Sequence, residues 1–482
     1  MKMAINTGLE RSLGEPKKRV LGPLDKRKTQ TRCQSCAQRK IKCQGPFPCA
    51  YCVRMKKPCR PPVQPESTSS VTFVAASAQT RAPDSSTLVT TSPLSIPHLD
   101  EQMSTIYMRY FASFMEGCHI TGNSAATSAL DLLPLMDVSP PLRNMALAIG
   151  ALQSSRRASV RSAQRQDDPR VLAFRFYAEA IQALKHRLEE PHVAASDDVL
   201  WSTFLLGLFE LLSETSGQPW ATHMLYGTSR LFQLAGPSAV RVTDLRGRLF
   251  DAFCVLESKR ALLFGDDTFL SRDEWLLARQ DYDVLGAEAS SPMSRLLPLM
   301  YNLASFTRRL FAEIEAIPEA LRPFHPALGT LASEGISLLH ELHLRIQDIT
   351  ISQAWQDDPS NGLAKSFLHA MLLFHCRNFT FYTCFDNLPI PFLSPEEVRE
   401  HTSTALATCS RIAADETFSG IPGIMLLFPL RMVGVHASDR RTRLEVLRIL
   451  ARIYQLGFVV ADRIRVDLEE CWASQDDIQR LS

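Results

Sequence analysis

The chain has 482 residues, 45% of them hydrophobic and 22% charged, with 12 cysteines and a formal net charge of +2. That length leaves room for more than one domain, and the apolar content suffices for a packed core. The most apolar stretches, around 204–212 and 421–435, are broken by Glu210, Pro429 and Arg431, so no membrane span of about 18 clean apolar residues is expected. The first residues lack the apolar segment of a secretory signal, which points to a reducing, intracellular setting for the cysteines.

The small net charge conceals a strong asymmetry. Residues 1–60 carry 16 Lys and Arg against 3 acids, a net +13, whereas the remainder carries 37 basic and 48 acidic residues, a net −11. So dense a basic head is the electrostatic footprint of a polyanion partner. Its first part, 1–28, is a basic flank with two runs, Lys17-Lys18-Arg19 and Lys26-Arg27-Lys28. Runs of this kind serve nuclear import or phosphate contact.

Six cysteines follow within 29–62: Cys33, Cys36, Cys43, Cys49, Cys52 and Cys59. Each half is a C-x-x-C pair with a third cysteine after six more residues, and a C-x-x-C pair sets two thiolates where one tetrahedral zinc takes both. Two such ions need eight ligand places and only six sulfurs are present, so two thiolates must each bridge both metals. The span Ala37-Gln38-Arg39-Lys40-Ile41-Lys42 between the second and third ligands has neither Gly nor Pro. It suits one or two helical turns able to enter a major groove, where Arg and Lys donate to guanine O6 and N7.

This spacing, with its internal basic residues and with Pro48 before Cys49, resembles the fungal six-cysteine binuclear zinc cluster family of transcription factors. The resemblance implies two Zn2+ ions bridged by Cys33 and Cys49. It also implies a base contact to a CGG triplet from Lys40, with Arg39 as the second candidate. Gln38 and Lys42 are assigned to phosphate. Lys56, in the second half with Arg54 and Lys57, is assigned to the DNA backbone. The implied partner is double-stranded DNA holding CGG-type sites.

Residues 63–98 read as a disordered Pro/Ser/Thr linker. The stretch 61–98 holds six prolines and 14 Ser or Thr, and its only Asp, Glu, Lys or Arg residues are Glu66, Arg81 and Asp84, too little apolar surface to offset its ordering entropy. Ser92-Pro93 is a candidate phosphorylation site. No apolar heptads follow the cluster, so no coiled coil is expected there. Either the protein binds one triplet as a monomer, or a homodimer forms through the large C-terminal part.

From 99 to 482 the pattern predicts an all-α domain. Met103, Ile106, Tyr107, Tyr110, Phe111 and Phe114 recur at helical spacing, as do Phe174, Tyr177, Ala178, Ile181, Leu184 and Leu188, and later Leu444, Leu447, Ala451 and Tyr454. Ser139-Pro140-Pro141, Gly236-Pro237, Pro389-Ile390-Pro391 and Ile421-Pro422-Gly423 are expected breaks. The other six cysteines, Cys118, Cys254, Cys376, Cys384, Cys409 and Cys471, are scattered in apolar surroundings without close pairs and read as buried free thiols, with a shared helix face for Cys376 and Cys384 as the alternative. More loosely, this part resembles the regulatory domain of fungal zinc-cluster activators, through Trp220, His223, Gly227, Leu231, Gly236-Pro237, Glu257, Arg260, Gly265, Phe269-Leu270-Ser271 and Trp275. Glu257 and Arg260 read either as a buried pair on one helix face or, more plainly, as a structural or surface ion pair.

Enzyme chemistry is not expected. There is no Gly-rich phosphate loop and no G-x-S-x-G elbow. His340-Glu341-Leu342-His343 lacks the two-residue spacing of a metalloprotease helix and reads as a solvated or packed pair. The acidic segment Asp467-Leu468-Glu469-Glu470-Cys471-Trp472, with Asp476 and Asp477, reads either as an activation segment or as the frayed end of a last helix. The expectation is therefore a nuclear, sequence-specific regulator of RNA polymerase II transcription, most simply an activator of a metabolic or secondary-metabolite pathway. It would be met by the nuclear import machinery and by transcription co-regulators. The alternative is a zinc-holding interaction module or co-regulator without sequence-specific DNA binding.

Overall fold

The computed structural model describes Cys52 and residues 101–118, 127–157, 168–190, 193, 196–213, 227–240, 242–278, 292–351, 359–415, 418 and 421–481. Cys52 belongs to a unit of Asp25–Leu99, and the helices below belong to the unit containing Asp100–Ser482. No strand occurs among the described residues. The predicted linker lies outside them.

The helices are α1 (Glu101–Glu116), α2 (Ala129–Val138), α3 (Pro140–Arg157), α4 (Pro169–Leu188), α5 (Asp197–Ser213), α6 (Ser229–Ala235), α7 (Asp244–Phe264), α8 (Pro292–Ala316), α9 (Pro326–Ile351), α10 (Pro359–Thr380), α11 (Pro395–Ala414), α12 (Ile421–Met425), α13 (Leu427–His436), α14 (Arg440–Gln455) and α15 (Val460–Leu481). Their starts follow local chemistry. Ser128 and Ser394 form capping boxes with Asp131 and Glu397, and Asp168 and Asp439 cap α4 and α14. Proline opens α3, α4, α8, α9, α10 and α11, where its missing N–H costs nothing.

α5 is buried on every side from Asp198 to Leu212, and the C-terminal half of α7 is likewise sealed. α10 and α13 are nearly as enclosed. A helix apolar all round needs neighbours all round. α3 packs on α1, α4 and α5; α10 packs on α8, α9, α11 and α13; α15 closes over α13 and α14. α4 and α14 lie further out and bury one stripe each.

The helical class agrees with the expectation, but several details differ. In α1, Tyr107, Phe111 and Phe114 are buried as predicted, whereas Ile106 faces outward. In α4 the buried stripe is Leu172, Ala173, Phe176, Ala180 and Leu184, while Phe174 and Leu188 are exposed. In α14 it is Val446, Ile449, Leu450 and Ile453, with Leu444 54% and Tyr454 48% exposed. Both helices carry two apolar stripes at helical spacing, so the periodicity is right and the rotational phase is not. Ile421-Pro422-Gly423 is not a break but the start of the short helix α12, with Pro422 in its first turn. Cys376 and Cys384 do not share a helix, because α10 ends at Thr380 and Cys384 sits in the 3-10 turn Thr383–Phe385.

α1 crosses closely over α3. A Cβ placed on Gly150 would lie 2.0 Å from the Tyr107 carbonyl oxygen, an atom that cannot move without displacing α1. Gly150→Ala is therefore expected to destabilise the protein by about 3 kcal/mol, measured as a lowered urea midpoint with helical content retained in the absence of denaturant.

Candidate functional site

Cys33, Cys36, Cys43, Cys49 and Cys59 lie outside the described residues, as do Gln38, Arg39, Lys40, Lys42 and Lys56 and the basic runs Lys17–Arg19 and Lys26–Lys28. Cys52 is described, in helical conformation and 1% exposed. Shielding of that kind suits a thiolate turned inward to a metal. Six thiols in two equal halves are a soft donor set of the composition zinc takes.

In the helical unit Glu257, Arg260, Gly265, Phe269 and Trp275 lie on α7 or just after it, whereas Gly227 abuts Thr203 of α5, Gly236 has open space beside it, and Trp220 and His223 lie outside the described residues. Phe232 packs on Phe250 and Phe253 at ring distances of 5.2 and 5.0 Å; Phe269 packs on Phe253 and Trp275 at 6.0 and 4.7 Å. Beside this ring cluster, Glu257 and Arg260 form a two-pronged pair, Nε to Oε2 at 2.8 Å and Nη2 to Oε1 at 3.0 Å. Both side chains are 0% exposed, so the expected ion pair is a core element and not a surface one. Arg260 also donates to Asp266 at 3.0 Å and to the Asp267 carbonyl at 3.2 Å. Burial alone would lower its pKa, but Glu257 and then Asp266 outweigh that and raise it.

The turn that brings Asp266 and Asp267 round is set by Gly265, which ends α7 with φ at +60°, a backbone that an L side chain strains to adopt. Asp267 then accepts from Ser305 of α8 at 2.7 Å and from the Thr268 backbone at 2.8 Å. The arrangement anchors a turn; no catalytic group emerges from it.

Several buried polar groups carried no signal in the sequence. Lys259 is 1% exposed, and burial pushes its ammonium pKa down to about 7. Tyr177 donates to Glu210 at 2.7 Å, and burial followed by that carboxylate raises its pKa. His369 and His401 meet Nδ1 to Nδ1 at 2.9 Å, so one ring donates while the other accepts. His375 is fully buried, with Nε2 2.8 Å from the Gly335 carbonyl. A carbonyl only accepts, so Nε2 carries the hydrogen.

Of the His-Glu-Leu-His run on α9, His340 and Glu341 are exposed, Leu342 is buried, and half-buried His343 lies 6.3 Å from the His401 ring. Among the described residues, no group of three or more His, Cys, Asp or Glu is placed to hold a metal. The acidic segment is no frayed end: it lies in α15, where Trp472 is buried and donates to the Gly434 carbonyl at 2.7 Å.

Two family models match the chain. One, described as a fungal specific transcription factor domain, covers residues 107–480, and the other, a fungal Zn(2)-Cys(6) binuclear cluster domain, covers residues 31–68. Comparison with curated proteins and with solved structures found no match.

Removing one partner of a buried pair strands the other charge. Arg260→Ala is expected to cost about 3–5 kcal/mol, read as a lowered urea midpoint; an unchanged midpoint would mean the pair contributes nothing net. His375 yields a pH prediction. Burial lowers its pKa to about 4, against a weaker opposing effect from Gly335, while an unfolded histidine titrates near 6.5. Its contribution is thus complete above about pH 6.5 and is lost as pH falls toward about 4, because the unfolded chain binds the proton first. His375→Gln is expected to flatten the dependence of stability on pH in that window by up to about 1.4 kcal/mol per unit, measured by urea unfolding at a series of pH values.

Proposed function

The chain belongs to the family of fungal specific transcription factors, and on that premise we propose that it is a nuclear, sequence-specific regulator of RNA polymerase II transcription reading CGG-type triplets. The observation that carries this reading is the spacing of the six cysteines, with Arg39-Lys40 set inside the first loop. A zinc-holding interaction module would have no need of two cations there.

The zinc head spans 29–62, behind a basic flank at 1–28 and ahead of a linker at 63–98 and a regulatory domain at 99–482. Cys33, Cys36, Cys43, Cys49, Cys52 and Cys59 would hold two Zn2+ ions, and the bound metal would supply the cross-links of the head. Lys40 donates to guanine O6 and N7, seconded by Arg39. Gln38, Lys42 and Lys56 hold phosphates, which fixes register without reading sequence. Lys17-Lys18-Arg19 and Lys26-Arg27-Lys28 are read by the import machinery. The helical domain performs no catalysis; it meets co-regulators and supplies any homodimer contact. Activation of a metabolic or secondary-metabolite pathway is the output that best fits the family.

Base reading and phosphate holding separate in a binding experiment on the full-length, zinc-loaded protein, using duplexes selected from a random pool at fixed salt. Enrichment of CGG triplets is expected. Lys40→Ala is expected to cost about 1–3 kcal/mol on the selected site and little on random duplex. Lys56→Ala is expected to weaken both alike and to reduce the salt slope by about one unit. If no sequence is enriched and binding disappears as salt rises, charge alone holds the DNA and the interaction-module reading takes its place.

A further inference from the structure

α14 carries two apolar stripes, and the fold uses one of them. Val446, Ile449, Leu450 and Ile453 are buried, on a helix that packs against α11, α13 and α15. Leu444, Leu447, Ala451 and Tyr454, the stripe that the sequence offers as core, turn outward. Leu444, Ala451 and Tyr454 are exposed and Leu447 is half-buried. A single exposed leucine needs no explanation. Four apolar residues at intervals of three, four and three do, because that is the a/d spacing by which one helix seats against another.

Positive charge edges this stripe. α14 holds five arginines against one acid, Glu445, although residues 61–482 hold 37 basic and 48 acidic residues. Arg441 and Arg448 fall at the positions next to the seam, and both are exposed. Arg443 and Arg452 are committed elsewhere, to both oxygens of Asp476 at 3.0 Å and to the Asp415 carbonyl at 3.0 Å. Glu445 accepts from Ser410 of α11 at 2.7 Å and from Arg448 at 2.7 and 2.8 Å. The Arg448 pairing is exposed and within one helix, so it is worth little and is easily exchanged.

Charge decides the occupant. Two copies joined antiparallel through this face would set Arg448 against the partner's Arg448. Joined in parallel, they would set Arg443 against the partner's Arg448. Like charges beside a seam select against either pairing. We propose that the outer face of α14 is the docking site for an amphipathic helix of a co-regulator. That helix is apolar at its own a and d positions and carries Asp or Glu where it meets Arg441 and Arg448. The proposal rests on the reading that the helical domain meets co-regulators, and gives that reading a surface and a chemistry.

The probe is a fluorescent synthetic peptide of about three heptads, with Leu at a and d and Glu at e and g. Its counterpart carries Lys at e and g. Each is titrated with the full-length, zinc-loaded protein and followed by fluorescence anisotropy at low and near-physiological salt. The expected result is saturable one-to-one binding of the Glu peptide, weakened by salt, with the Lys peptide binding about tenfold more weakly. Arg441→Glu combined with Arg448→Glu is expected to weaken the Glu peptide and strengthen the Lys peptide, each about tenfold. Leu444→Glu is expected to abolish binding of the Glu peptide. All three positions are exposed, so helical content by circular dichroism should be unchanged; if Leu444→Glu lowers it, Ala451→Glu takes its place. Equal binding of the two peptides overturns the proposal. So does Glu-peptide binding that survives in Leu444→Glu, which places the peptide on the basic head. A wild-type dimer in sedimentation that Leu444→Glu dissociates overturns it too, because a second copy then occupies the face. Selection of CGG triplets is measured separately, so its failure with peptide binding intact removes the DNA-reading function and keeps the surface.

Discussion

Arg260 carries a permanent charge with no exposed surface, and much of the middle of the helical domain is arranged around that fact. Its fork needs oxygens on two sides. Glu257, one turn earlier on α7, supplies one pair; Asp266 and the Asp267 carbonyl supply the others. The second set is reachable only because Gly265 reverses the chain in a left-handed conformation. Once reversed, the chain sets Phe269 and Trp275 against the α7 rings and ties Asp267 to Ser305 of α8. Burial of an ion pair is not in itself stabilising. What it contributes here is a single geometry, since any other rotation of α7 or path for the turn leaves a charge unmatched in the core.

The same logic separates what was legible in the sequence from what was not. Six cysteines at fixed spacing announce a metal fold because the ligands are local. Helices announce themselves because apolar residues recur every three or four positions. The side of a helix that faces inward is less accessible. In α14, Leu444 and Tyr454 satisfy the helical period as well as Val446 and Ile453 do, and only the neighbouring helices decide between the stripes. Charged residues mislead in the other direction. Glu257 and Arg260 could be paired from their spacing, but a charge is ordinarily taken for solvent, and Lys259 beside them gave no hint of its burial. His369 meets His401 across 32 positions, and Trp472 reaches the Gly434 carbonyl across 38. Contacts of that range have no local pattern.

Two kinds of stability therefore coexist in one chain. The helical domain rests on apolar burial around α5, α7, α10 and α13, and its buried hydroxyls mostly donate to backbone carbonyls of their own helices. The head is too short to bury a comparable core, and in a zinc cluster metal binding and folding are one event. Chelation should remove DNA binding while leaving the helical domain folded, a separation that a single shared core would not permit.

Charge divides along the same line. With +13 on the first 60 residues and −11 on the rest, attraction to DNA resides in the head, and the remainder of the chain adds none. Charges of opposite sign on one chain do not cancel at a DNA surface, because screening at physiological salt confines each to within about 8 Å. The acidic remainder limits the non-specific retention that a uniformly basic protein of this size would suffer. On the proposed reading specificity depends on the head, and a single triplet would carry little information against the many competing sites in a genome. A second reading head, on another copy of the chain or on a partner, is the economical way to add it. Because no heptad pattern follows the cluster, the surface that would hold two copies together must be sought in the helical domain.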